Sequence, residues 1–307
     1  MNIDDDKSFP PEAPEGSSAG HDSAPRSDGS SSEISHELSP APVQESAAAA
    51  VSLIPDDLRV PWSWIDVLAF ILLYLVGWFF VGIFVTMGFA AFGITLQHIQ
   101  KSVTQQSLFS LLAQAILDFG VFAYLVAQVR LQFGRPFWRT IGWRPLETGK
   151  TPRALAYLGL LFGGFILAMM ITLASAVSPP KVKMPIQSFL QNRQSAFFFI
   201  LMGVLLAPLI EETLFRGYLY PVIARSFSVS AGVLVTGTLF GLLHAQQLWG
   251  GWLQIGLLVV VGIVLTFARA ATKTVVASYL LHLSYNSYQL ISFVVASHGL
   301  RHLPLPQ

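Results

Sequence analysis

The chain has 307 residues, of which 53% are hydrophobic and 11% charged, with a mean hydropathy of +0.58. That balance excludes an ordinary soluble globular domain and points to a polytopic membrane protein. The absence of cysteine excludes disulfides, thiolate metal sites and cysteine nucleophiles.

The formal net charge of +1 conceals a split. Residues 1–50 carry ten acids against Lys7 and Arg26, whereas the remainder carries seven acids against sixteen Lys and Arg. The basic residues are scattered between apolar stretches rather than gathered on one helix, so nucleic acid is not an expected partner. The N-terminus is acidic where a signal peptide needs a basic start, and no apolar stretch follows it closely. Residues 1–60 read as a disordered, acidic, Ser/Pro/Ala-rich tail with too little apolar surface to offset the entropy of ordering. Residues 61–300 read as a membrane-embedded helical domain.

A bilayer core requires about 20 apolar residues per helix. Seven segments qualify: 65–94, 107–129, 155–177, 196–217, 229–247, 252–268 and 274–296. The expected fold is therefore all-α, a polytopic bundle of about seven transmembrane helices. Trp62, Trp64, Trp249 and Trp252 flank these segments as interfacial anchors. The connection 130–153 holds Arg130, Arg135, Arg139, Arg144, Lys150 and Arg153, and threading from it places Arg59, Arg225, Arg269 and Lys273 on the same side. Lys101, Lys181, Lys183, Arg193 and Arg301 fall on the other side. The asymmetry predicts a plasma (inner) membrane protein with its N-terminus cytoplasmic and its C-terminus outside. No internal repeat is visible, which weakens an inverted-repeat transporter reading.

The fourth segment contains Glu211 and Glu212, and carboxylates at membrane depth are costly unless paired or facing a wet cavity. Glu212 and Arg216 are four residues apart, the favourable order for a helical ion pair. Glu211 points about 100° away and lacks that partner. Glu211 and His244 are 33 residues apart about a turn near 225–230, so two antiparallel helices would bring them to one depth. That match requires the fourth helix to run past Gly217 and through Pro221. Phe240 and His244 share one helix face, as do His282 and Asn286. Asp118 is the other intramembrane acid, able to line the same cavity or to bond a neighbouring helix.

Glu211-Glu212-Thr213-Leu214-Phe215-Arg216, Phe240-Gly241-Leu242-Leu243-His244 and His282-Leu283-Ser284-Tyr285-Asn286 stand in order on separate helices. This set, EExxxR, FxxxH and HxxxN, resembles the signature of the CPBP family of intramembrane proteases, also called the Abi or type II CAAX prenyl endopeptidase family. The resemblance covers residues 195–290. No HExxH, GxSG or GxGD motif of the other intramembrane proteases occurs in the membrane domain. The resemblance implies hydrolysis of a peptide bond in a membrane-associated or lipidated substrate. Glu211 would activate water with help from His244, and His282 and Asn286 would orient the water or stabilise the oxyanion. Glu212, Arg216 and Phe240 would support them. Glu211, His244 and His282 could also hold Zn²⁺, and a metal-free glutamate mechanism suits the same residues equally. Two rivals stay open: a catalytically silent membrane scaffold, and a transporter or proton relay.

Overall fold

The computed structural model describes residues 54–180 and 182–303. The expected tail lies outside the described residues up to residue 53. Each of the seven apolar segments forms a helix, and there are no strands among the described residues. The long helices are α1 (Trp64–Ala91), α2 (Val103–Gln132), α3 (Arg153–Val177), α4 (Arg193–Ser226), α5 (Val229–Leu243), α6 (Trp252–Thr272) and α7 (Val275–Ala296). The protein is an all-α membrane helix bundle.

Five of these helices, α1 to α4 and α6, are long and apolar enough to cross a bilayer by length and composition. The 15 residues of α5 span about 22 Å, short of the hydrocarbon thickness. Helix α7 is long enough, but His282, Ser284, Asn286 and Gln289 dilute its apolar character. Around the bundle, large apolar side chains such as Leu68, Leu72, Phe84, Phe162 and Leu173 point outward. Such a surface suits lipid as the surrounding solvent and would be a liability in water.

Helix α4 is the long central element, and it runs nine residues beyond the predicted end at 217, through Pro221 to Ser226. It does so by loosening into π-helical turns over Met202–Leu206 and Thr213–Leu219, next to Pro208 and Pro221. Such turns absorb the backbone groups that a proline cannot pair. Helix α5 ends earlier than predicted, and residues 244–250 form turns, so His244 caps the helix rather than lying within it.

Small residues bring the helices close enough to position the site. Gly237 and Gly241 lie one turn apart on α5, and a Cβ on either would meet the α6 backbone, at 2.5 Å from Ile263 N and 2.6 Å from Val259 N. Close approach through small residues four apart is a common mode of helix packing in membranes. At one end of the bundle Trp62, Phe70, Val121, Leu125, Phe137, Ile141, Tyr218 and Val222 form a buried core. Trp62 stacks on Tyr218 at 5.0 Å and donates its Nε1–H to the Tyr218 carbonyl at 2.9 Å.

Residues 54–60 fell on the tail side of the boundary expected from sequence, and the structure packs them onto this same end. Leu58 is buried against Tyr220, Ala224 and Val233. Asp57 pairs with Arg269 at 2.8 Å, and Arg225 donates to the Val60 and Trp62 carbonyls. Composition could not show this, because the contacts are made to residues more than 150 positions away.

Candidate active site

Glu212 and Arg216 are both fully buried, and their atoms meet at 2.9 Å, one helical turn apart on α4. The guanidinium has further acceptors on α6. Its Nη2 donates to the Gly262 carbonyl at 2.9 Å and its Nε to Thr266 Oγ1 at 3.2 Å. Its carbon lies 4.5 Å from the centre of the Phe240 ring, over the π face. Arg216 therefore ties α4 to α5 and α6 through distinct contacts, at the depth where an unpaired charge would be most costly.

Glu212 does a second job. Its Oε1 accepts from Nδ1 of His282 at 2.8 Å. A carboxylate held by an arginine accepts, so the imidazole proton belongs on Nδ1 and Nε2 points away. His244 has the same tautomer for a different reason. Its Nδ1 lies 2.8 Å from the Phe240 carbonyl, which can only accept. Both rings thus turn Nε2 toward Glu211.

The Glu211 carboxylate sits between the two rings. Oε1 is 3.7 Å from His244 Nε2, and Oε2 is 3.7 Å from His282 Nε2. The Glu211 side chain is 24% exposed and that of Glu212 0%, so the adjacent acids occupy different environments. A separation of 3.7 Å exceeds a direct hydrogen bond and is one that a bridging water can span. The Phe240 ring packs beside both imidazoles, at 4.9 Å from His244 and 5.6 Å from His282. Asn286 donates Nδ2–H to the Gly203 carbonyl at 2.8 Å. That carbonyl needs an outside donor: the Ala207 N–H is used on Met202, and Pro208 has none.

Glu211, His244, His282 and Asn286 line one cavity of about 1760 Å³. Asp118 lines it as well and accepts from Gln114 Nε2 at 2.7 Å. Of the three residues the sequence offered for zinc, each histidine lies nearest a different oxygen of Glu211. Among the described residues no group of three His, Asp or Glu is set to hold a metal ion. Thr266 and Gly262, which complete the Arg216 site, carried no signal beyond one hydroxyl and one glycine on an apolar helix.

Residues 193–288 match the family model type II CAAX prenyl endopeptidase Rce1-like. The match covers all three sequence motifs and the elements that hold them, α4 to most of α7, about a third of the chain. At family level it supports a CAAX-type intramembrane protease. Searches among curated proteins and among solved structures found no match.

Proposed function

We propose that this protein is a glutamate-dependent intramembrane endopeptidase of the Rce1-like kind, cutting a peptide bond of a membrane-anchored or lipidated substrate. The observation that carries the reading is the Glu211 carboxylate between two Nε2 atoms at 3.7 Å, within a cavity large enough for a peptide segment. Glu211 takes a proton from a water molecule held between it and His244, and the water oxygen attacks the scissile carbonyl. The tetrahedral oxyanion forms beside His282 and Asn286. His282 can donate from Nε2 as an imidazolium, a charge that Glu212 on its Nδ1 stabilises, and the second hydrogen of Asn286 Nδ2 is a further donor. Glu211 then returns its proton to the leaving amine as the C–N bond breaks. Glu212, Arg216 and Phe240 position these groups without touching substrate. No step is assigned to a metal.

The test is a cleavage assay in proteoliposomes. Glu211→Gln should reduce turnover by at least about 10²-fold, the lower range for general-base catalysis, with unchanged thermal stability. Near-normal turnover would reject Glu211 as the base. A scaffold would retain its cellular phenotype with Glu211→Gln, and a transporter would show vesicle flux without cleavage.

A further inference from the structure

We propose that Asp118 is a specificity residue: it holds a basic side chain of the substrate, lysine or arginine, that lies close to the bond presented to Glu211. The proposal rests on the protease reading for the identity of the occupant. It draws on α2, a helix outside the matched region 193–288.

Asp118 sits mid-way along α2, half-buried, and lines the same cavity as Glu211. A mid-span acid is costly unless it is paired or faces a wet cavity. The other two mid-helix acids have basic partners: Glu212 has Arg216 at 2.9 Å, and Glu211 lies between two imidazoles. Asp118 has no such partner among the described residues. Its Oδ1 accepts from Gln114 Nε2 at 2.7 Å, one turn back on the same helix, so the bond ties α2 to no neighbour. Its Oδ2 has no donor among the described residues and is not sealed into the packing. An amide supplies one hydrogen bond and no charge, whereas a carboxylate accepts several.

The cavity does not supply the missing cation. Its lining holds two acids, Glu211 and Asp118, and a single lysine or arginine, Lys183. Lys183 belongs to the connection after α3, which meets α2 at Ser107: that hydroxyl donates to the Ser188 carbonyl at 3.3 Å. Asp118 lies eleven residues farther along α2, about 16 Å down the axis. Arg216 is fully buried and bound to Glu212, Gly262 and Thr266. Asp118 is instead beside the reacting group. Helix α2 packs against Ala207–Glu212 of α4, and the Asp118 and Glu211 carboxylates act on each other electrostatically. Two acids in one low-dielectric cavity favour a cationic segment and disfavour an acidic one. Lysine and arginine suit the lining as well, since their carbon stems can lie along Leu117 and Ile171 while the charge reaches Asp118. Gln106, Ser110 and Gln114 precede Asp118 at four-residue intervals, and all line the cavity. Four residues of helix rise about 6 Å, close to the repeat of about 6.6 Å for two residues of extended peptide. The row gives an extended substrate a polar track that ends at Asp118.

The test measures binding without cleavage, on the Glu211→Gln protein in lipid nanodiscs. The probes are palmitoylated, fluorescent peptides of alanine and leucine in which one lysine, glutamine or glutamate is moved along the chain. At one position or two adjacent ones, lysine should bind at least about tenfold tighter than glutamine, the scale of a hydrogen bond to a charged group. Glutamate should bind more weakly than glutamine there. Adding Asp118→Asn, which keeps the acceptor for Gln114, should erase the lysine preference, and Asp118→Glu should retain it. Asp118→Lys should prefer glutamate. Thermal unfolding verifies that each variant folds, and if Asp118→Lys does not, the comparison of Asp118→Asn with Asp118→Glu decides. A lysine preference that survives Asp118→Asn would overturn the proposal, as would peptides that bind without regard to charge or do not bind. The preference is read on a protein that need not cleave, so its failure is separable from failure of the Glu211→Gln cleavage assay.

Discussion

Replacing Glu212 by glutamine tests the claim that one acid of the pair is structural. The wild-type carboxylate and guanidinium are both 0% exposed and 2.9 Å apart. Removing one partner of a buried pair leaves the other charge uncompensated, typically at a cost of about 3–5 kcal/mol. Arg216 keeps the Gly262 carbonyl, Thr266 Oγ1 and the Phe240 ring. Those contacts place the expected loss near the lower limit, about 3 kcal/mol. The measurement is unfolding in detergent or bicelles of Glu212→Gln, Arg216→Gln and the double variant. The double variant should be less destabilised than the two single losses added together, because the second change removes a charge that the first left stranded. Single variants that unfold with wild type, or losses that simply add, would refute the coupling. Glu212→Gln should also lower turnover in membranes where the protein remains folded, since His282 loses the carboxylate that orients its ring. Unchanged turnover would remove Glu212 from the positioning role.

Prolonged dialysis against a strong chelator should leave cleavage unchanged, whereas loss of activity restored by Zn²⁺ would contradict the metal-free reading. Gly241→Ala should cost about 1–3 kcal/mol through overpacking against Val259 and should reduce turnover by displacing His244 at the end of α5. Gly82→Ala, where a Cβ meets open space, should do neither in the same unfolding and cleavage measurements. Deleting residues 1–50 should preserve membrane insertion and cleavage. Asp57→Asn should lower the unfolding temperature, because Arg269 is 1% exposed and Asp57 Oδ2 holds it at 2.8 Å.

The membrane class, the seven helical segments and the residues of the candidate site are all readable from the sequence. The reason is physical. Hydrocarbon forces each span into a self-bonded apolar helix, so any acid or imidazole within one stands out against its surroundings. Glu212–Arg216 was legible for the same reason, since partners four apart on a helix must share a face. The length of α4 was less so: Gly217 and Pro221 look like a helix end, and the π-helical turns that carry the chain past them depend on packing around them. The sequence had no means of showing that Glu212 also holds His282, that Asn286 serves the carbonyl freed by Pro208, or that residues 54–60 cover Arg269. Each of those contacts joins positions 70 or more apart through the interior. Which end of the bundle is hollow is likewise decided by where large aromatic side chains meet and where they do not. Spacing along one helix determines its faces, whereas the choice of which face meets which neighbour belongs to the tertiary packing.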